Sequence, residues 1–159
     1  MQGITNCLWF DFQAEEAALF YTSIFNNSKI GKIARYTNEG FEFHQKPDGS
    51  VMTIEFELNG QNFLGLNGGP VFKFTEAISF VIYCQTQEEI NHYWDKLSEG
   101  GDPNAQQCGW LKDKFGVSWQ IVPTQLPNLM AGKNGEKVTR VLFQMKKLEI
   151  AKLIEASDD

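Results

Sequence analysis

The chain contains no apolar stretch long enough to cross a bilayer. Its longest apolar run, 78–84, is interrupted by Ser79, whereas a membrane-spanning helix needs roughly 20 apolar residues. The sequence also opens without the basic and apolar segments of a secretory signal. We therefore expect a protein that has no membrane partner and resides in the cytoplasm.

Basic residues and cysteines are scarce as well. The 159 residues include 14 Lys and Arg against 20 Asp and Glu, so the formal net charge is −6. Nucleic-acid affinity comes largely from basic side chains that neutralise phosphates, and we expect no nucleic-acid partner. Cys7, Cys84 and Cys108 lie far apart with no CxxC motif, which is typical of free thiols in a reducing compartment. We expect Cys7 and Cys84 to pack as small hydrophobic side chains in strands.

Aromatic residues, by contrast, are abundant, at 13% of the chain, and they occur in two similar halves. In the first half, about 4–70, hydrophobic period and turn signals predict a strand over 4–12, a helix over 13–25, and strands over 30–36, 51–58 and 61–66. The last two strands are joined by Asn59-Gly60, a two-residue hairpin signal. The polar segment 38–50 is expected to be a loop.

The second half, about 77–123, repeats this order. A strand over 77–84 is followed by a capping box, in which Thr86 begins a helix and Glu89 lies three residues later. The helix carries an apolar stripe over 90–97 and ends at two glycines. A second hairpin follows it.

That hairpin, Cys108–Pro123, is expected to form one wall of a binding site. Gly116 is free to take a positive φ in the turn, and Pro123 ends the second strand because it has no N–H to donate. Side chains alternate along a strand, so Trp119 should face a helix. Gln120 should then face the concave side of the sheet, near any bound molecule. Three turn residues are expected to be solvated: Lys112, Asp113 and Lys114.

Both halves have the pattern of a βαβββ unit, which predicts a duplicated α+β fold with curved, mainly antiparallel sheets. The first helix aligns with the second, and we expect Phe20 and Trp94 to be buried at equivalent places. The modules, about 4–70 and 77–123, would form one domain over 1–125.

Residues 126–159 are expected to form a helical tail. Its apolar stripe consists of Val138, Val141, Leu142 and Met145. Such a stripe must be buried against something, and we expect a homodimer with the tail helices near the subunit boundary. The alternative is that the tail packs on its own chain's sheet.

Several motifs are shared with a known family. Leu8-Trp9-Phe10, Glu57-Leu58-Asn59-Gly60, and Gly109–Asp113 followed by Gln120-Ile121-Val122-Pro123 resemble the PhnB-like family of the vicinal oxygen chelate superfamily, which includes glyoxalase I and the bleomycin-resistance proteins. Many members carry the label 3-demethylubiquinone-9 3-methyltransferase. The resemblance covers roughly residues 4–125. It implies two βαβββ modules, each curved around a cleft, and usually a homodimer.

In metal-dependent members of that superfamily, four strand positions supply His or Glu ligands to a divalent metal. Alignment on the first helix places Asn6, Gly65, Ser79 and Gln120 at these positions. Amides and hydroxyls are weak neutral ligands and glycine has no side chain, whereas transition metals in proteins are usually coordinated by imidazole or carboxylate groups. We therefore expect neither a metal nor another cofactor.

The same positions, together with an aromatic neighbour, are candidates for a small-molecule cleft. The candidate residues are Asn6, Ser79, Gln120, Gly65 and Trp9. They would place a few polar groups in an apolar wall, as small-molecule sites do. The alternative is that the polar members are core residues satisfied by backbone or water, and that Trp9 is a core side chain.

These features predict a metal-free module that binds an unidentified small molecule. The alternative is a metal-independent enzyme, including the methyltransferase of the family label. That label has little support, because the Gly-rich run 65–69 is followed by Pro70 rather than by the helix of a doubly wound nucleotide fold. Glu55 and Glu57 alternate with the apolar face of their strand, so we expect solvated carboxylates, with a general acid–base pair as the alternative.

Overall fold

The computed structural model describes residues 3–158, and the chain divides after Lys73 into two compact units. Each unit combines a small mixed sheet with helices. The predicted α+β class is confirmed. Within residues 3–158, no helix has the length and apolar character needed to traverse a membrane.

The first unit has the predicted strand–helix–strand order. Its elements are β1 (Asn6–Phe10), α1 (Ala14–Ile24), β2 (Ser28–Arg35), α2 (Phe41–His44), β3 (Val51–Leu58) and β4 (Gln61–Asn67). The strands lie in the order β1-β4-β3-β2. β1 is parallel to β4, and the other pairs are antiparallel. The short helix α2 interrupts the segment that was expected to be a loop.

The core of this unit is formed where α1 packs on the sheet. Tyr21 is fully buried and stacks on Phe56 with ring centroids 6.1 Å apart, and Phe56 stacks in turn on Phe63 at 5.3 Å. Phe20, by contrast, is only half-buried, so the prediction for that residue was wrong by one position. Tyr21 is the residue that aligns with Trp94, which is buried as expected.

A buried amide, Asn67, ties the start of α1 to the sheet. Its Oδ1 accepts from the backbone N–H of Ala14 at 2.9 Å, and its Nδ2 donates to the backbone oxygen of Val51 at 3.0 Å. The backbone oxygen of Asn67 accepts from the Tyr36 hydroxyl at 2.7 Å. One amide therefore satisfies a free N–H at the helix N-terminus and joins three segments of the unit.

The second unit begins with the repeat of this pattern. Its elements are β5 (Ser79–Cys84), α3 (Gln87–Ser98), a 3-10 helix (Pro103–Ala105), β6 (Trp110–Lys112), β7 (Ser118–Pro123), α4 (Leu126–Ala131), α5 (Gly135–Leu142) and α6 (Ile150–Asp158). The strands lie in the order β5-β7-β6, with β5 parallel and β6 antiparallel to β7. This copy therefore differs from the expected βαβββ unit, because a 3-10 helix occupies the place in chain order that β2 has in the first unit.

The predicted start of α3 is confirmed. The Thr86 hydroxyl accepts from the backbone N–H of Glu89 at 3.2 Å, and the Glu89 carboxylate accepts in return from the backbone N–H of Thr86 at 3.4 Å. From this capping box the helix buries Ile90, Trp94 and Leu97 against the sheet. Reciprocal capping satisfies two otherwise free N–H groups.

The tail is part of the second unit rather than an appendage. It forms a buried apolar cluster of Leu126, Val138, Leu142, Met145, Leu148, Leu153 and Ala156. Cys108 and Val122 of the hairpin pack against this cluster, and the backbone N–H of Cys108 donates to the oxygen of Met145 at 2.8 Å. The apolar stripe of the tail is thus buried within its own chain, which was the alternative to burial at a subunit boundary.

Candidate functional site

The hairpin between β6 and β7 is organised by a buried carboxylate. Asp113, which was expected to be solvated, is only 3% exposed. Its Oδ1 accepts from the backbone N–H groups of Phe115 at 2.9 Å and Val117 at 3.0 Å, and its Oδ2 accepts from the Trp119 indole N–H at 2.8 Å. Gly116 takes the expected positive φ of 89°. The turn is therefore a rigid support for β7.

Strand register assigns the side chains of the second sheet to two faces. Trp119 and Ile121 are buried on the side of α3, as predicted. The opposite side, called the second-unit face here, carries Ser79, Val81, Tyr83, Trp110, Lys112, Ser118 and Gln120, and also Val122, which packs against the tail. These residues share a face because the register pairs Ser118 with Ser79 and Lys112, and Gln120 with Val81 and Trp110.

The second-unit face combines an amide with apolar surface. The Nε2 of Gln120 donates to the Ser79 hydroxyl at 2.8 Å, so two of the predicted site residues are in contact. Val81 is 42% exposed and Tyr83 is 63% exposed, and Trp110 is half-buried beside Gln120. The face thus presents a fixed polar pair within a wall of aliphatic and aromatic side chains.

Two further polar groups on this face were not predicted as site residues. Lys112 pairs with the carboxylate of Glu76, and this contact holds the pKa of Glu76 below its ordinary value. Ser118 is 2% exposed, and its hydroxyl has no hydrogen-bond partner within residues 3–158. Strand alternation is the signal that could have identified Ser118, because it lies two residues before Gln120. The pairing of Lys112 with Ser118 in the hairpin could have identified Lys112.

In the first unit, Trp9 lies on the face of the sheet opposite α1. Its indole N–H donates to the backbone oxygen of Gly69 at 2.8 Å, and its ring meets Phe72 edge-on at 4.9 Å. A Cβ at Gly68 would approach this ring to 2.2 Å, so only glycine fits there. The segment after β4 therefore holds the Trp9 ring in one place.

Asn6 and Gly65, the other two candidates, fall on the helix side of the sheet. Gly65 pairs with Leu8 and Ile54, and a Cβ placed on it would lie 3.1 Å from Ala14 of α1. Asn6 pairs with the buried Phe63 and shares its side of the sheet. The structure thus places both residues away from the face that carries Trp9.

Asn6 and Gly65 were assigned to the wrong face because the connection between strand and helix is one residue longer in the first unit than in the second. Residues 11–13 connect β1 to α1, whereas only residues 85 and 86 connect β5 to α3. Alignment on the helices therefore shifts the strands by one position, and a shift of one reverses the faces. With the strands aligned instead, Thr5 corresponds to Ser79 and Leu64 corresponds to Gln120.

The donor set at these four positions does not fit a transition metal. Thr5 and Leu64 in the first unit offer a hydroxyl and an alkyl group, and Ser79 and Gln120 in the second unit offer a hydroxyl and an amide. Neither pair contains the imidazoles or carboxylates that such a metal prefers. Elsewhere in the described part of the chain, no three His, Cys, Asp or Glu side chains are close enough to hold a metal ion.

A groove of about 450 Å³ lies on the same face of the first sheet as Trp9. Its lining consists of Thr5, Lys29, Gly31, Glu55, Phe56, Glu57, Asn62, Phe63 and Leu64. Lys29 pairs with Glu57 at 3.0 Å, and Glu55 is exposed. The first unit therefore presents carboxylates to its groove, whereas the second-unit face presents an amide and a lysine.

The three cysteines are free thiols, as expected. Cys84 is buried, and desolvation raises its pKa to about 11. Cys7 is exposed, so the prediction that it packs as a core side chain was wrong. Partial desolvation raises the pKa of Cys7 also, which leaves neither thiol activated as a nucleophile.

Comparison with known proteins decides the family. A model of the family described as 3-demethylubiquinone-9 3-methyltransferase matches residues 2–122. The chain belongs to this family. A solved member, described as a 3-demethylubiquinone-9 3-methyltransferase and PhnB protein from Bacillus cereus, is 39% identical with a TM-score of 0.65. That match covers 77% of this chain and 100% of the Bacillus chain. A comparison with curated proteins finds no match.

More distant solved structures share the fold of this PhnB-like family member. A Pseudomonas aeruginosa protein is 16% identical with a TM-score of 0.57, over 77% of this chain and 98% of that chain. The fosfomycin resistance protein FosX from Listeria monocytogenes, solved with Mn(II) and 1S,2S-dihydroxypropylphosphonic acid, is 13% identical with a TM-score of 0.53, over 77% and 92% of the two chains. These neighbours confirm the glyoxalase/bleomycin-resistance fold.

Proposed function

We propose that this PhnB-like protein binds a small, partly apolar molecule on the second-unit face, without a metal. The observation that carries the proposal is the Gln120–Ser79 pair, at 2.8 Å, set among exposed Val81 and Tyr83. Small-molecule sites typically place a few fixed polar groups in an apolar wall. The pair orients a ligand's polar group, and the wall supplies the apolar contact area.

The residue types at the four aligned positions support binding without a metal. Hydroxyl, amide and alkyl groups cannot replace the charged or imidazole ligands of a catalytic site. The polar groups of the second-unit face act as hydrogen-bond partners instead.

The experiment is a thermal-shift screen of a metabolite library that includes S-adenosylmethionine. A compound that binds only the folded state at 100 times its Kd stabilises the protein by about 2.7 kcal/mol, which is a readily measured rise in Tm. Gln120→Leu should abolish the rise for the compounds that bind. Gln61→Leu, an exposed position in the first unit, should retain it. Equal rises in both variants would contradict the assignment to this face.

A second candidate function is a metal-independent enzyme, including the methyl transfer of the family description. The observation in its favour is that Glu55 and Glu57 both line the first-unit groove, where a carboxylate could act as a general base. Incubation of the protein with S-adenosylmethionine and a phenolic acceptor, with Glu55→Gln as the comparison, tests it. Product formation that depends on Glu55 would favour the enzyme over the binding module.

We further propose that the protein is a cytoplasmic homodimer. In the described part of the chain β5 is an edge strand, and the backbone groups along such an edge can pair with a strand of another chain. Phe143 of the tail, at 62% exposure, adds to the surface that a second copy would cover. Light scattering should give about twice the chain mass of 18.1 kDa, and a mass of one chain would reject the dimer.

A further inference from the structure

The polar end of the second-unit face contains a charged contact that the proposed small-molecule site leaves unexplained. Lys112 lies across the strand from Ser118 and pairs with Glu76, a residue of the segment that leads into β5. The Glu76 side chain is 61% exposed and the Lys112 side chain is 24% exposed. The carboxylate is thus the more solvated partner, and the lysine lies closer to the sheet.

The hydroxyl of Ser118 is the second observation. It is 2% exposed and without a partner in the described chain, although buried hydroxyls nearly always make a hydrogen bond. Its register partners are Ser79 on one side and Lys112 on the other. An oxygen held between Lys112 and Ser118 would satisfy the hydroxyl and keep the charge of the lysine compensated.

We propose that Lys112 and Ser118 form an anion subsite, at which the carboxylate of a small aromatic or aliphatic acid displaces the Glu76 side chain. This inference rests on the proposed small-molecule site and adds the class of its ligand. In the free protein the Glu76 carboxylate pairs with Lys112 and competes with the ligand for that lysine. The apolar part of the ligand then lies along Trp110 and Val81, and its acidic group reaches Lys112.

Benzoate and benzamide are suitable probes because they have the same shape and differ in charge at pH 7. Each is titrated into nitrogen-labelled protein while the backbone amide and Trp110 indole resonances are followed by NMR. Benzoate should bind about 2- to 5-fold more tightly than benzamide, the range that a half-exposed ion pair provides. Lys112→Met should remove this preference, and Ser118→Ala should reduce it.

Glu76→Gln is the decisive variant, because it removes the competing charge and keeps the side chain's shape. It should tighten benzoate binding about 2- to 5-fold and leave benzamide binding unchanged. The matched control is Asp95→Asn, which removes the carboxylate of the Lys147–Asp95 ion pair in the same unit and should affect neither probe. Because Glu76 is exposed, the variant is expected to fold normally.

The outcomes separate this inference from the function on which it rests. Binding of both probes at the second-unit face with equal affinity, unchanged by Glu76→Gln, would overturn the anion subsite and leave the small-molecule site in place. If neither benzoate nor benzamide shifts any resonance of the face, in the wild-type protein or in Glu76→Gln, both the anion subsite and the small-molecule site would be overturned.

Discussion

The burial of Asp113 leads to the sharpest stability prediction. Asp113→Ala removes the acceptor for two backbone N–H groups and the Trp119 indole N–H. A hydrogen bond to a charged group contributes about 1.5–3 kcal/mol, and a buried donor left without a partner carries a similar penalty. Two of the three donors are buried, so we expect a loss of about 3–5 kcal/mol.

Urea unfolding followed by tryptophan fluorescence measures this loss. With a slope of about 2 kcal/mol per molar urea, the unfolding midpoint should fall by roughly 2 M. Asp48→Ala, at an exposed turn position in the first unit, is the control and should change the unfolding free energy by less than about 0.5 kcal/mol.

A double-mutant cycle separates the indole contact from the turn contacts. Asp113→Asn keeps an oxygen for the two backbone donors but turns the second oxygen, which accepts from Trp119, into a donor. Combined with Trp119→Phe, it should show a coupling free energy of about 1–2 kcal/mol, within the range for contacting groups. A loss below about 1 kcal/mol for Asp113→Ala would refute this account and restore the expectation of a solvated turn.

Three further predictions follow from the packing. Gly65→Ala should destabilise the protein by about 1–3 kcal/mol, since its Cβ would lie 3.1 Å from Ala14 and Ile54, whereas Gly3→Ala, with open space around it, should be neutral; equal effects would mean that Gly65 does not face the helix. Tyr21→Ala and Trp94→Ala should each cost about 3–5 kcal/mol in chemical unfolding, and a cost under about 1 kcal/mol at both would contradict their role as equivalent core residues. Because the folded pKa of Cys84 is raised to about 11 from 9.0, the folded state keeps its proton in a range where the unfolded chain loses it. The free energy of unfolding should therefore fall as pH rises from about 9 to about 11, and it should fall less in Cys84→Ala. Identical pH profiles of the unfolding free energy would show that the Cys84 thiol does not contribute to this pH dependence.

Features that depend on neighbours in the chain were predictable from the sequence. The Thr86–Glu89 capping box needs only residues three apart, and it forms as expected. Asn59-Gly60 also behaves as a two-residue hairpin, with positive φ values of 48° and 82° that match its turn type. Hydrophobic period located the strands and helices because each side of an element faces one environment over its whole length.

Features that depend on connections between elements were not predictable in the same way. The placement of Asn6 and Gly65 failed because one extra residue before α1 reverses the strand relative to the helix. Asp113 is polar and lies in a turn, so nothing in its local sequence separates a solvated carboxylate from one that accepts from Trp119, six residues away. Burial of the tail likewise depends on Cys108 and Val122, which are distant in sequence from its apolar stripe.

Of the candidate site residues, Ser79 and Gln120 are joined by a hydrogen bond, and their role in one ligand cleft stays a prediction. That pair lies on strands adjacent in the sheet, and strand alternation alone put Gln120 on the side opposite Trp119. Lys112 was assigned to a solvated turn, because its partner Glu76 comes from a segment with no recognisable pattern. Contacts of this kind, between segments that are distant in sequence, determine which molecule a site binds, and a local motif does not reveal them.

The central claim, metal-free binding on the second-unit face, is tested most directly by isothermal titration calorimetry. The compound that stabilises the protein most in the thermal-shift screen is titrated once in buffer with EDTA and once with added Mn(II). We predict one binding site per chain with the same Kd, within about twofold, under both conditions. Binding that requires Mn(II), or that is tenfold tighter with it, a difference of about 1.4 kcal/mol, would contradict the account.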